Sequence, residues 1–478
     1  MNNQTIIGGY GIKDIVCDSR QAGESIAFAC LSGAKFDGHD FAKAAYDKGS
    51  RVFVCEKKLD LPYDAHCIVV DDSREAFALL SAEIYGYPAR KLTMIGITGT
   101  KGKSTIGTLL SETLNLLGHK CAFIGTTGIC IDGEMRKSAN TTPECNILHQ
   151  TFAEALNKGC THLVMEVSSQ AFKMKRVHGI EYDIAIFTNL TPDHISSIEH
   201  ANYEEYRDCK AMLFKNSKRS LLNADDDESN YMARVSKGCV DCYSVNNIAL
   251  GDANSHFVKG IVPSASLGSD FIFDGVSCHV PMPGKVNVSN AAAVLSCCSM
   301  LGIDLTEASR ALSDATPAKG RFEKITVDSL SDRSFIIDYA HNGVSLEFVL
   351  QTLREYNPRR LVCLFGSIGG RAEMRRRELA VAASKYADFS IITSDNPDCE
   401  SPEKIIDEIA SYMQNDRFVA ITDRADAISY AVEHSESGDV ILLAGKGHED
   451  YQLIDGKKIP FCEKDIVLQS AAKIASIL

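Results

Sequence analysis

An apolar run from Leu92 to Thr98 leads without interruption into Gly99-Thr100-Lys101-Gly102-Lys103-Ser104-Thr105. Beyond it Ile106, Leu109, Leu110, Thr113, Leu114 and Leu117 recur at helical spacing, and Gly118 closes the segment. Strand, glycine-rich turn and helix in that order commit this stretch to an α/β layer, with the turn at the carboxyl edge of a sheet. Glycines let backbone N–H groups face a phosphate chain. Lys103 adds a positive charge, and the helix N-terminus adds its dipole. Ser104 offers a hydroxyl suited to Mg²⁺. The strict P-loop pattern asks for glycine at position 97, where this chain has Ile97, so the loop is a G-x-x-G-K-S variant.

The 478 residues suffice for about three domains at roughly 150 residues each. Three zones differ in texture. Residues 1–90 hold strand-like runs at Ile12 to Cys17, Ser50 to Cys55 and Cys67 to Val70, and Tyr87-Pro88-Ala89 marks a boundary. Residues 91–321 add strands at His162 to Val167 and Asp183 to Leu190. Near 239–283 lies an antiparallel patch with a hairpin around Asp274-Gly275. Residues 322–478 repeat the alternation, with strands at Phe335 to Asp338, Arg360 to Phe365, Phe389 to Thr393 and Asp439 to Ala444. The expected class is α/β: an N-terminal α/β domain, a central P-loop domain whose parallel sheet carries the small antiparallel patch, and a Rossmann-like C-terminal domain.

Several functions are disfavoured. Lys and Arg number 50 against 63 Asp and Glu, a net charge of -13 with no basic tract, so no nucleic-acid partner is expected. No run approaches the ~18 apolar residues of a membrane span, and no secretory signal is expected at the start. The 17 scattered cysteines suit reduced thiols and a cytoplasmic location. Cys239 and Cys242 have metal-like spacing but no second pair nearby, so two ordinary thiols are expected.

Glu166 ends one expected strand and His194 follows the next, at the sheet edge where ligands collect. Beside the phosphate loop, both are candidates to hold Mg²⁺, although a metal that prefers oxygen makes His194 the unusual member.

These residues, with Asp18-Ser19-Arg20, Asn140-Thr141-Thr142-Pro143-Glu144, Asn287-Val288-Ser289-Asn290, Gly320-Arg321-Phe322-Glu323, Asp338-Tyr339-Ala340-His341, Asp395-Asn396-Pro397 and Gly445-Lys446-Gly447-His448-Glu449, resemble the Mur ligase family of peptidoglycan synthesis in its MurE type. The resemblance spans essentially the whole chain. It implies a monomeric, ATP- and Mg²⁺-dependent amide ligase that joins a diamino acid to the D-Glu side chain of UDP-MurNAc-L-Ala-D-Glu through an acyl phosphate. Within it, Gly99, Thr100, Lys101, Gly102, Lys103, Ser104 and Thr105 would cradle ATP, with Lys103 on the γ-phosphate. Asn290 and Arg321 would contact ATP, and Asp338 its ribose. Ser104, Glu166, His194 and Lys210 would serve the metal, Lys210 as a carbamate. Ser19, Asn140, Thr141, Thr142, Ser168 and Arg176 would hold the UDP-sugar peptide. Arg371, Asp395, Asn396, Asp398, Gly445 and Glu449 would receive the amino acid.

Three residues depart from the family pattern. Lys101 replaces the usual Asn, and Met174 replaces the Gln of the meso-diaminopimelate enzymes. Asp398 stands where those enzymes carry an Arg that pairs with the distal carboxylate. An acidic group there favours L-lysine, with meso-diaminopimelate and ornithine as alternatives. Arg375, Arg376 and Arg377 are expected on a solvated helix face. Folylpolyglutamate synthase is the runner-up within the ligases, and a nucleotide-gated protein without chemistry is the alternative outside them.

Overall fold

The computed structural model describes residues 10–33, 36–192, 199–370 and 373–475. Four parallel strands open the chain: β1 (Asp14–Val16), β2 (Ile26–Ala29), β3 (Val52–Cys55) and β4 (His66–Val69), side by side in that order. With them go helices α1 (Ala42–Asp47) and α2 (Ser73–Ile84), the latter capped by Asp72, whose carboxylate accepts from Glu75 N. Alternate residues serve opposite faces. Ile15, Ala27, Ala29, Val52 and Val54 pack with Phe77 and Leu80, while Val16, Phe28, Phe53 and Cys55 pack with Ala42 and Ala45. Sequence reasoning found three of these strands and missed β2, whose two alanines give a weak apolar signal.

Next come β5 (Thr93–Thr98), α3 (Lys103–Leu116), β6 (Cys121–Gly125), β7 (Gly128–Ile131), β8 (Glu134–Arg136), α4 (Cys145–Asn157), β9 (His162–Glu166), α5 (Ser169–Lys173), β10 (Tyr182–Phe187), α6 (Tyr203–Lys215), β11 (Ser217–Asn223), α7 (Ser229–Val235) and β12 (Cys239–Ser244). Their spatial order is β12-β11-β10-β5-β9-β6-β7-β8, with parallel pairings except for the last two, β6 with β7 and β7 with β8. Ile184 to Phe187 in β10 are all buried, as a strand covered on both faces requires. β13 (Asn254–Pro263) continues the sheet, and β14 (Ser269–Phe273) and β15 (Val276–Val280) form the expected hairpin. Asp274 and Gly275 turn it at φ 45° and 87°. Helices α8 (Lys285–Met300) and α9 (Leu305–Asp314) follow.

The C-terminal part holds β16 (Glu323–Ile325), β17 (Ser334–Asp338), α10 (Gly343–Arg354), β18 (Arg360–Phe365), α11 (Glu373–Tyr386), β19 (Phe389–Ile392), α12 (Pro402–Ser411), β20 (Phe418–Ala420), α13 (Arg424–Glu433), β21 (Asp439–Ala444), the hairpin β22 (Tyr451–Ile454) and β23 (Lys457–Pro460), and α14 (Glu463–Ala475). The strand order is β16-β17-β21-β18-β19-β20, parallel but for β16. The α/β class, parallel sheets and antiparallel patch agree with the expectation.

By compactness the chain divides into two units. One comprises Met1–Lys259, Phe273–Val276 and Ser289–Ala315, and the other Gly260–Ile272, Ser277–Val288 and Thr316–Leu478. No described helix is long and apolar enough to cross a membrane.

Candidate active site

In the first unit the loop after β5 is clamped by the residues that follow β10, its sheet neighbour. Thr100 N donates to Asn189 O, and Lys101 N to Asn189 Oδ1, both at 2.9 Å. Thr188 Oγ1 donates to Lys101 O at 2.6 Å. Gly99 holds φ 148°, and a Cβ there would lie 1.9 Å from Thr188 Oγ1. Gly102, at φ 86°, begins α3 without a side-chain cap, which leaves the first-turn N–H groups facing the loop's concavity. Lys103 Nζ donates to Gly99 O (2.8 Å) and Thr100 O (3.1 Å). Lys210, only 2% exposed on α6, reaches the same Gly99 O at 2.8 Å. Two ammonium groups thus converge on one carbonyl, a concentration of positive charge that suits a polyanion. Ser104 and Thr105 occupy the first turn of α3, and Asn290, on α8, lies against Gly102.

Glu166 ends β9, fully buried, and accepts from Thr126 N (2.9 Å) and Thr126 Oγ1 (3.1 Å). Thr126 Oγ1 also meets Thr141 Oγ1 at 3.0 Å. Thr142 Oγ1 donates to Glu166 O (2.9 Å) and accepts from Ser168 N (3.0 Å), while Arg176 donates to Thr142 O (3.3 Å) and pairs with Glu144 (2.7 Å). One polar network therefore ties Thr141, Thr142, Ser168 and Arg176 to Glu166. Beside it is a cleft of about 430 Å³ lined by Asp14, Gln21, Arg136, Asn140, Glu144 and others, and Ser19 belongs to the turn Ser19–Gln21 at its edge. The hydroxyl of Ser104 and the carboxylate of Glu166 are hard oxygen donors of the kind Mg²⁺ takes.

In the second unit Asp338 ends β17 and accepts from Phe322 N at 2.9 Å. Burial pushes its carboxyl up to about 6, against the opposing pull of Arg321. The native state then binds this proton more tightly than the unfolded chain does. Its contribution to stability accordingly falls as pH rises from the ordinary 3.8 through about 6. The Arg321 guanidinium lies 5.1 Å from the Tyr339 ring, and His341 and His448 flank that ring at 4.6 and 5.0 Å. Gly320, at φ 69°, abuts Gly447, so Gly320-Arg321, Asp338-Tyr339 and Gly445 to Glu449 meet.

Lys446 is wholly buried. Its Nζ donates to Asp395 Oδ1 (3.2 Å), Asn396 Oδ1 (2.8 Å) and Glu449 Oε2 (3.2 Å), and Asn396 Nδ2 donates to Glu449 Oε2 (2.9 Å). Gly445 holds φ 113° against Asp395. Asp398, at φ 52°, accepts from Gly456 N at 2.8 Å and donates its own N–H to Leu453 O at 2.9 Å, so its carboxylate pins the β22–β23 turn.

His194 and Arg371 lie outside the described residues. One expectation is corrected: Arg376 is not on a solvated face. It is 3% exposed and bonds Glu408 and Glu400, the latter at 2.6 Å, because α11 turns this position toward α12. Sequence reasoning missed Thr126, Thr188, Asn189 and Lys446 as functional neighbours. Asn189 and Thr126 were detectable as polar residues just past strands, and Lys446 sits inside the Gly445 to Glu449 motif.

Comparison with known proteins adds three family profiles in chain order. The Mur ligase family catalytic domain matches residues 11–85, the Mur ligase middle domain residues 97–298, and the Mur ligase glutamate ligase domain residues 320–447. The chain is 37% identical over 462 residues to the UDP-N-acetylmuramoyl-L-alanyl-D-glutamate--2,6-diaminopimelate ligase of Clostridium botulinum, covering 95% of this chain and 94% of that one. It is 39% identical over 476 residues to the ligase of the same name from Chlorobaculum tepidum, covering 96% and 93%. A solved structure of a ligase so named is similar at a TM-score of 0.73 and 28% identity, covering 97% of this chain and 95% of that one.

Proposed function

The chain belongs to the Mur ligase family, and on that footing we propose that it is a MurE-type amide ligase acting on UDP-MurNAc-L-Ala-D-Glu. The observation that carries this reading is the convergence of Lys103 and Lys210 on the phosphate loop, in one unit with buried Glu166 and the polar cleft at Asn140. A carboxylate is a poor electrophile. Transfer of the γ-phosphoryl group of ATP to the D-Glu side-chain carboxylate gives an acyl phosphate and ADP. The neutral amine of the amino acid then attacks the acyl carbon, expels phosphate and loses a proton.

Lys103 offsets the repulsion between phosphate and carboxylate, and the first-turn N–H groups of α3 orient the phosphates. Ser104 and Glu166, with His194, would hold Mg²⁺, which when bound supplies further charge neutralisation. Carbamylation of Lys210 is part of the proposal. It would turn one of two cations crowding a single carbonyl into an anion, relieving their repulsion and adding an oxygen donor. Asn290, Arg321 and Asp338 are assigned to ATP. Ser19, Asn140, Thr141, Thr142, Ser168 and Arg176 are assigned to the UDP-sugar peptide, and Arg371, Asp395, Asn396, Asp398, Gly445 and Glu449 to the amino acid. The division 1–90, 91–321 and 322–478 corresponds to these three tasks.

For the amino acid, L-lysine is favoured by Asp398, which offers a negative charge where a second carboxylate would need a positive one. 2,6-Diaminopimelate is the second reading, favoured by the names of the relatives. Phosphate release with ATP, Mg²⁺ and UDP-MurNAc-L-Ala-D-Glu, across L-lysine, meso-diaminopimelate and L-ornithine, decides between them. Silence with all three would sink the ligase reading. Asp398→Asn keeps the acceptor for Gly456 N but removes the charge. It is expected to raise the KM for L-lysine by about tenfold, the value of a charge-assisted contact, with little change in Tm. An unchanged lysine KM would confine Asp398 to pinning the turn.

If Asp338 receives the ribose hydroxyls as a carboxylate, the KM for ATP should rise as pH falls through about 6, and Asp338→Asn should flatten that profile. A wild-type profile already flat through that range would remove Asp338 from this role.

A further inference from the structure

The loop carrying Asp395-Asn396 follows β19, and the loop carrying Gly445 to Glu449 follows β21. These strands are not neighbours, since β18 lies between them. Ladder hydrogen bonds relate the two strands only through β18, and those pairings end at Ile392 and Leu443, before the two loops begin. The polar cluster needs the loops' relative height to be fixed, because Lys446 and Glu449 on one loop bond Asp395 and Asn396 on the other at 2.8–3.2 Å.

Beneath that cluster a further side chain ties the two strand ends together. Arg424 NH1 donates to Ser394 O at 3.2 Å and NH2 to Ala444 O at 2.9 Å. Ser394 and Ala444 are the residues immediately before Asp395 and Gly445. The same guanidinium forks onto Glu463 Oε1, through Nε at 2.9 Å and NH2 at 2.7 Å. Arg424 is 0% and Glu463 2% exposed in their side chains.

Stability alone is a poor reason for this pair. A buried ion pair loses most of its Coulomb gain to desolvation, and apolar residues of similar volume often do as well. Arg424 also opens α13, where a cation opposes the helix dipole. A rigid planar fork that reaches two carbonyls and a carboxylate at once is what no apolar residue supplies.

We infer that Arg424, anchored by Glu463, is a positioning residue for the amino-acid site: it holds the Asp395-Asn396 loop and the Gly445–Glu449 loop in register across β18. This rests on the reading above that these loops receive the amino acid.

The test uses the full chain as Arg424→Lys, which keeps the charge but loses the fork, and Glu463→Gln, which keeps the Oε1 acceptor. With ATP and the UDP-sugar peptide saturating, Arg424→Lys is expected to raise the amino-acid KM about tenfold or more, since misplacement by about 1 Å is that costly. The KM values for ATP and the UDP-sugar peptide should stay within about twofold. Glu463→Gln should shift the same constant in the same direction by less. Without ligand, hydrogen exchange in Arg424→Lys should quicken together in peptides over 394–398 and 444–449, and stay unchanged over 99–105. A lower Tm with unchanged amino-acid KM overturns the inference, whether or not the loops loosen. If the wild type turns over no amino acid, the proposed function has failed. Hydrogen exchange then decides the register claim alone: loops as protected as in the wild type overturn it.

Discussion

Replacing Lys103 by methionine is expected to lower kcat for phosphate release by about 10²–10³-fold, the range seen when one preorganised donor is removed from a developing charge. Methionine keeps the unbranched stem and helix propensity at the first position of α3. What it loses is the ammonium, which lies 2.8 Å from Gly99 O and 3.1 Å from Thr100 O, over the concavity of the loop. Those contacts are partly exposed, so the melting temperature should change little. The first-turn N–H groups of α3 remain, and for that reason ATP affinity should fall less than kcat. Steady-state phosphate release beside thermal melting checks this. A kcat within about tenfold of wild type would mean that Lys103 is not the group that meets the transferred phosphate.

Gly320→Ala is expected to destabilise the second unit by about 3 kcal/mol or more, combining the left-handed backbone penalty with overpacking. At φ 69° a Cβ would lie 2.1 Å from Gly447 C and 2.2 Å from His448 N. Both are backbone atoms and cannot rotate aside. Relief requires moving the segment that carries Glu449 or the one that carries Arg321. Activity should therefore drop through the ATP and amino-acid constants together. At about 2–4 °C per kcal/mol the calorimetric shift is easily measured. A melting temperature within about 2 °C of wild type would show that the two segments are not locked by this contact.

The fold was legible where signals are local. The turn after β5 declares itself because its glycines adopt φ values that L-residues rarely take, and because its strand and helix are its immediate chain neighbours. The parallel strands were readable because burial on both faces makes them continuous apolar runs. β2 was not, since Ile26-Ala27-Phe28-Ala29 owes its place to its neighbours β1 and β3 rather than to its own hydrophobicity. Arg376 was misread for a similar reason. Its sequence neighbours are charged, but its partners Glu400 and Glu408 lie on or just before another helix.

By itself, then, the sequence determined which chemical groups stand at the strand ends: the phosphate loop, Glu166, Asp338, and the loops at Asp395 and Gly445. Those assignments depend on residues adjacent in the chain. Only the tertiary structure decided which of these groups share a site and what restrains them. Asn189 grips Lys101 across 88 positions because β10 lies beside β5. Arg424 joins Ser394 to Ala444 because β18 separates their strands. Asp398 Oδ1 reaches the turn at Gly456, 58 positions away. The physical reason is common to all three. Strand order and helix docking follow from burying apolar surface over the whole domain, so the partners of a polar side chain are set by a packing no local pattern contains.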